Sequence, residues 1–131
     1  MTKRLLGERR AFEQSEFFVE CASDRRWSAR FTYAHLNCDV FLSIKIPPNF
    51  PFERPHIFIT HPRIDSPIVF GGAVCSEALY EWCSAMTIES LLQHILDILK
   101  THGVRNVGGS YSEQDLRRGE RHIMSHHKNG F

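Results

Sequence analysis

Two runs of strict alternation, closed by a double proline, limit most tightly what this chain can fold into. In "RWSARFTYAH", Trp27, Ala29, Phe31 and Tyr33 fall on one side and Ser28, Arg30 and Thr32 on the other. In "CDVFLSIKIP", Val40, Leu42, Ile44 and Ile46 oppose Phe41, Ser43 and Lys45. A period of two with one apolar face describes half-buried antiparallel strands. Pro47-Pro48 then withdraws two backbone donors and ends the second strand. Before these runs, Phe17, Val19 and Cys21 alternate over 17–22, and after them Ile57 to Thr60 makes a shorter strand. Leu36-Asn37 offers a turn, and the four prolines of "PPNFPFERP" favour a stiff, extended link. Four successive strands with short connections predict an antiparallel meander.

Helical periodicity flanks the strands. Thr2 can cap a short helix with Leu5, Leu6 and Phe12 near one face and Lys3, Arg4, Arg9 and Arg10 around the rest. Thr87 reads as a second cap, with Glu89 in the positive first turn and an apolar stripe of Ile88, Leu91, Leu92, Ile95 and Leu99 ending near Gly103. That stripe must pack on the sheet. Ser112 opens a last, mostly polar helix running to Asn129-Gly130, whose thin apolar face of Leu116, Ile123 and Met124 predicts a surface position. Between Thr60 and Trp82 neither period survives, and Pro62, Pro67, Gly71 and Gly72 interrupt the backbone. Irregular stretches of that length inside a domain more often serve function than connection. The fold class expected is α+β. With 131 residues, 42% of them hydrophobic, one domain over 1–131 is expected.

A formal charge of +1 gives no global attraction to nucleic acid or to an anionic membrane, so partners must be recognised locally. The four cysteines follow neither a disulfide framework nor a zinc ribbon and read as reduced thiols. "MTKRLLGERR" is charged throughout, unlike a signal peptide, and no run reaches membrane-spanning length, so a cytosolic or nuclear location is expected. Nothing in the residues calls for a cofactor. His122 and His126 stand one helical turn apart, the spacing of a metal pair, but no further ligand accompanies them and solvated histidines are expected.

Several short motifs now acquire meaning together. "PNFPFERP", "HPRI", "GGAVC" and "WCSAMTIESLL" occur in the order of the corresponding motifs of the ubiquitin-conjugating enzymes. They are similar, in turn, to that family's tyrosine-proline-phenylalanine-x-x-proline, histidine-proline-asparagine-isoleucine, glycine-x-isoleucine-cysteine and tryptophan-to-isoleucine patterns. The chain resembles that family over nearly its whole length, most specifically from Pro47 to Leu99. "GGAVC" and "YSEQDLRRGERHIMSHHKNGF" resemble the Q-type branch.

The resemblance implies that Cys75 accepts ubiquitin, or a ubiquitin-like protein, as a thioester from the activating enzyme. It then passes the modifier to a lysine or to a ligase's cysteine. Exchange between two sulfurs is nearly balanced in energy, so such a thiol needs access more than a strong base. Gly71 and Gly72 can adopt positive φ and admit an extended peptide tail close to the backbone. Cys21, Cys38 and Cys83 are expected to be packed thiols without a catalytic part. The resemblance further implies that Lys3, Arg4, Arg9 and Arg10 meet the activating enzyme, with a merely solvated face as the alternative. It also implies that Phe52 and the Ser84-Ala85 pair meet a ubiquitin ligase, the serine replacing the family's proline there.

One departure bears on chemistry. The asparagine expected after His61-Pro62, held to stabilise an oxyanion or shape the loop, is replaced by Arg63, as it is also missing from the Q-type branch. Losing an oxyanion donor costs about 3 to 4 kcal/mol in a preorganised site. The spacing from His61 to Cys75 is longer than the family's usual one, so Arg63 need not face the thioester. Arg63 is expected to be a solvated guanidinium, and His61 a loop residue that hydrogen-bonds locally rather than a base. Two other functions stay open: a catalytically silent ubiquitin- or ligase-binding variant of the same fold, and a cysteine hydrolase pairing Cys75 with a histidine.

Overall fold

The alternating runs become the centre of an antiparallel sheet. The computed structural model describes residues 2–33, 38–74, 81–102 and 105–128, with 102 and 122–128 as helical backbone alone. Cys75, Gly103, Leu36-Asn37 and Asn129-Gly130 lie outside the described residues, as do the side chains of His122, Ile123, Met124 and His126. In chain order come α1 (Lys3–Ala11), β1 (Phe18–Ser23), β2 (Arg26–Tyr33), β3 (Cys38–Lys45) and β4 (His56–His61). Three two-residue strands follow: β5 (Ile64–Asp65), β6 (Val69–Phe70) and β7 (Ala73–Val74). Then come α2 (Ile88–His102), β8 (Arg105–Asn106) and α3 (Glu113–Lys128). The main sheet has the order β1-β2-β3-β4-β7-β6, and β5 pairs with β8 in a separate ribbon.

The expected meander is β1 to β4. Trp27, Ala29, Phe31 and Tyr33 are buried on its inner face beside Val40, Leu42, Ile44 and Ile46, as the alternation requires. The stripe of α2 shares one buried cluster with that face, and Leu96 joins the five stripe residues read from sequence. The caps are also as read. Thr2 Oγ1 accepts from the Leu5 amide at 3.2 Å, and Thr87 Oγ1 from the Ser90 amide at 3.1 Å. On α1, Leu5 and Phe12 are buried, but Leu6 is 40% exposed and lies off the expected apolar face.

Three regions differ from expectation. The 47–55 link is a succession of turns rather than an extended rod, with Phe50 N–H donating to the Pro47 carbonyl and Phe52 N–H to that of Asn49. The irregular segment after Thr60 contributes β6 and β7, which extend the sheet beyond β4: Phe58 pairs with Ala73, and Val69 and Phe70 pair with Val74 and Ala73. The last helix is more than a surface appendage. It lies on the sheet's outer face, opposite α2, where Leu116 packs on Phe58 and Ala73.

Candidate functional site

The strands that lead to Cys75 in sequence are held from two sides. Val74 is fully buried in the main core, and Ala73 is fully buried beneath α3. Gly71 and Gly72 turn β6 into β7 with φ of 55° and 83°, a backbone region that L side chains rarely adopt. The positive φ is therefore present, but what comes close there belongs to the chain itself. A Cβ on Gly71 would stand 2.5 Å from the Asp115 carbonyl oxygen, and one on Gly72 2.7 Å from the Ile59 carbonyl oxygen and the Leu116 side chain. From the opposite side, a Cβ on Gly119 would come within 2.7 Å of both Ala73 Cβ and the Phe70 carbonyl oxygen. The glycines let helix and hairpin touch backbone to backbone. On the side where a Cβ would stand, the space beside Gly71 and Gly72 is taken by α3, β4 and Tyr111.

Ser112 and Asp115 start α3 by a reciprocal cap. Ser112 Oγ accepts from the Asp115 amide, and Asp115 Oδ2 accepts from the Ser112 amide, both at 3.1 Å. The Ser112 backbone and side-chain hydrogen bonds, helped by Arg118, hold the Asp115 carboxyl below its ordinary range. Further along, Glu120 makes an ion pair with Lys45 on β3. Beside it His56 is buried, its Nδ1 without a hydrogen-bond partner in the described residues. Burial, and then the Arg54 charge, push its pKa below the usual histidine value.

At the far end of β4 the pairing slips between Phe41 and Leu42, which sets His61 opposite Phe41. Its ring meets the Phe41 ring edge-on at 5.8 Å, and its Nδ1 hydrogen-bonds Ser110 Oγ at 2.8 Å. His61 therefore hydrogen-bonds as expected, but as the last residue of β4 and to a segment distant in sequence, not within a loop of its own. Arg63 is exposed, but its guanidinium is engaged: Nε donates to the Gly108 carbonyl at 2.9 Å. Its backbone is tied to the same loop, accepting from Val107 N–H and donating to the Gly109 carbonyl. Tyr111 completes the strap, with its hydroxyl accepting from Ile64 N–H at 2.9 Å and donating to the Ile64 carbonyl at 3.0 Å. The residue in the asparagine's place therefore shapes the 107–109 loop.

The residues assigned to partner contacts stand on converging segments. Trp82 Nε1 donates to the Pro51 carbonyl at 2.8 Å, drawing the 81–86 loop against the turns that carry Phe52. Phe52 is 83% exposed, and Ser84 and Ala85 are exposed. Arg4 reaches across from α1, donating to the Met86 carbonyl at 2.7 Å and stacking 5.4 Å from the centre of the Phe50 ring. Lys3, Arg9 and Arg10 are exposed on α1, whereas Arg4 is partly committed to the interior of this corner. Glu8 was not singled out by the sequence, yet it joins α1 to α2. Its buried carboxylate accepts from Arg4 Nε and from the Ile88 amide, both at 2.8 Å. Only the Arg4-to-Glu8 spacing, i to i+4, hinted at half of this.

The remaining cysteines divide. Cys21 and Cys38 pack against the core as expected, and burial raises the Cys21 thiol above its ordinary pKa. Cys83 is exposed, contrary to the expectation of a packed thiol: the 82–86 loop is held by the Trp82 indole, by Arg4 on the Met86 carbonyl and by the Met86 amide on the Cys83 carbonyl, none of which involves the Cys83 side chain. Among the described residues, no group of three or more histidine, cysteine or acidic side chains could hold a metal ion.

Comparison with known proteins agrees with this architecture. A family model described as ubiquitin-conjugating enzyme matches residues 26–113. Human ubiquitin-conjugating enzyme E2 Q1 is 32% identical over 100 residues, covering 70% of this chain and 24% of that protein. A human Q-like ubiquitin-conjugating enzyme protein is 35% identical over 68 residues, covering 49% of this chain and 42% of that protein. The chain thus spans about a quarter of the length of the Q1 relative. Among solved structures, a ubiquitin-conjugating enzyme E2 domain from Toxoplasma gondii superposes with a TM-score of 0.66 at 26% identity, over 76% of this chain and 74% of that one. A Plasmodium falciparum ubiquitin-conjugating enzyme E2 reaches 0.68 at 18% identity, over 78% and 100%, a likeness of fold alone. The α+β architecture is the ubiquitin-conjugating fold, and the chain belongs to the ubiquitin-conjugating enzyme family, in its Q-type branch.

Proposed function

We propose that this chain, acting as one conjugating domain over 1–131 in the cytosol or nucleus, carries ubiquitin or a ubiquitin-like protein as a thioester on Cys75. In the first step the Cys75 sulfur attacks the carbonyl carbon of the modifier's last residue, bound as a thioester to the activating enzyme. The new C–S bond forms, the old one breaks, and the proton of the Cys75 thiol is balanced by one taken up by the departing thiolate. In the second step a lysine amine, or a ligase thiol, attacks the same carbon, the bond to the Cys75 sulfur breaks, and the proton lost by the attacking group balances the one the departing thiolate takes up. Neither step needs a cofactor on this chain, and the near-equality of the two thioesters makes the first freely reversible.

The observation that carries the reading is the family match across 26–113, which includes the motif ending in Cys75. The support around it is physical. Val74, just before Cys75 in sequence, is anchored in the core. Exposed Phe52, Ser84 and Ala85 stand on loops joined by the Trp82 hydrogen bond, a presentation suited to a ligase, and the exposed Lys3, Arg9 and Arg10 suit the activating enzyme. A silent binding variant is favoured by one observation, the engagement of Arg63 with Gly108 where the family keeps an asparagine. Incubating the chain with ubiquitin, activating enzyme and ATP separates the two. Carriage predicts a conjugate released by a thiol reductant and lost in Cys75→Ala, whereas a silent variant forms none.

A further inference from the structure

The three glycines between α3 and the β6–β7 hairpin have no part in the reading above, and their geometry is costly to maintain by chance. We infer that α3 is a clamp whose Leu116 and Gly119 act as positioning residues for the segment that ends in Cys75. The inference rests on the thioester reading for its catalytic consequence, though not for the clamp itself.

The hairpin cannot hold its place unaided. Its strands have two residues each, and its register with β4 consists of the single pair Phe58 and Ala73, supported by Ile59 N–H donating to the Gly72 carbonyl at 2.6 Å. Isolated two-stranded hairpins are marginal in water. On the inner side Val74 is anchored in the core, with the partly buried Val69 packed against it. On the outer side Leu116 of α3 packs on Ala73 and Phe58, and the helix comes to backbone distance, since Gly119 is buried and lies against Ala73, Phe70 and Gly71. A methyl group at 119 would require helix or hairpin backbone to move, because the Phe70 carbonyl oxygen would be 2.7 Å away. Asp115 and Gly71 impose the same limit from the other segment. Lys45 and Glu120 fix the rotation of α3 with an ion pair across the sheet face, and the Ser112–Asp115 cap fixes where the helix begins. A nucleophile displaced by about 1 Å can lose on the order of a hundredfold in rate, so a segment gripped on both sides is what positioning requires.

The test is Gly119→Ala in the full chain, with Gln114→Ala on the exposed side of α3 as control. Hydrogen exchange should show the amides of 69–74 losing at least tenfold in protection in Gly119→Ala, while those of β2 and β3 keep theirs. Charging with ubiquitin should fall tenfold or more in kcat, with the KM for the activating enzyme unchanged, because α1 is untouched. Gln114→Ala should match the unmodified chain in both. If Gly119→Ala does not fold, Leu116→Ala, which thins the contact without a clash, should show the same pattern at smaller amplitude. Preserved protection of 69–74 in a folded Gly119→Ala overturns the clamp, as does full-rate charging. If the unmodified chain does not charge, the thioester reading fails instead, and the exchange measurement still decides the clamp.

Discussion

Removing the Glu8 carboxylate should cost more than any other single charged side chain on α1. Its Oε2 accepts from the amide of Ile88, the first residue of α2, and Ile88 is fully buried, so water cannot take the carboxylate's place. A hydrogen bond to a charged group contributes about 1.5 to 3 kcal/mol net, and a buried amide left without a partner accounts for most of that loss. The carboxylate also sits at the positive end of α2, which favours it by about 0.3 to 1 kcal/mol. The pair with Arg4 adds little, about 0.5 kcal/mol, since Arg4 is 38% exposed and keeps its bond to the Met86 carbonyl. Together these give roughly 2 to 4 kcal/mol for Glu8→Ala, a fall in Tm of roughly 10 °C for a domain this size. Glu8→Gln retains an acceptor oxygen and should lose about 1 kcal/mol, the charged share alone. Urea unfolding followed by tryptophan fluorescence measures both. If the two variants are equal, or if Glu8→Ala loses less than about 0.5 kcal/mol as an ordinary surface substitution would, the bridging role is refuted.

Further outcomes are expected elsewhere. Phe52→Ala should leave stability within about 0.5 kcal/mol, because the ring is 83% exposed, while ligase-stimulated transfer falls; unchanged transfer across a panel of ligases would remove Phe52 from the contact surface. His56 titrates below its unfolded value of 6.5, so the unfolded chain binds its proton first. Stability should be fully present above pH 6.5 and decline as pH falls from there toward the lowered value, and a His56→Gln variant should show a flatter profile between those limits. Arg63→Ala, which removes the bond to the Gly108 carbonyl but keeps the backbone ones, should loosen the 107–109 loop and raise exchange at the Val107 amide while leaving the rate of Cys75 charging in place; a hundredfold loss in transfer to lysine with that amide still fully protected would instead make Arg63 an oxyanion donor. Cys83→Ser should alter neither stability nor charging, since the thiol is exposed and unpaired with any other cysteine.

What could be read from the residues divides by the range of the contacts involved. The strands β2 and β3 and the helix α2 announce themselves because burial of one face imposes a period on every second residue or along one helical stripe, and those periods are local. The caps at Thr2, Thr87 and Ser112 were legible for the same reason, as each bonds a neighbour three residues away. Two-residue strands such as β5 to β8 carry no period, so the extension of the sheet beyond β4 was not visible. The last helix does lie at the surface, as its thin apolar face predicts, but how closely it approaches the sheet was not legible, for a specific reason. Beside Leu116, the helix meets the hairpin through Gly119, whose missing side chain adds nothing to an apolar face yet lets the two backbones come close. Glu8 was missed because its decisive partner, the Ile88 amide, is distant in sequence. The motif around Cys75 was legible only as a resemblance, since a reactive and an inert cysteine have the same residue letter and differ in surroundings.

Replacing Cys75 by serine tests covalent carriage most directly. Offered activating enzyme, ATP and ubiquitin, the unmodified chain should gain the mass of one ubiquitin, with the adduct removed by a thiol reductant. In Cys75→Ser any adduct should be an oxygen ester that withstands the same reductant, and tandem mass spectrometry should place it on residue 75. A reductant-sensitive adduct that persists in Cys75→Ser, or one mapped to Cys83, would contradict the assignment of the carrier, and no adduct on the unmodified chain would contradict carriage itself.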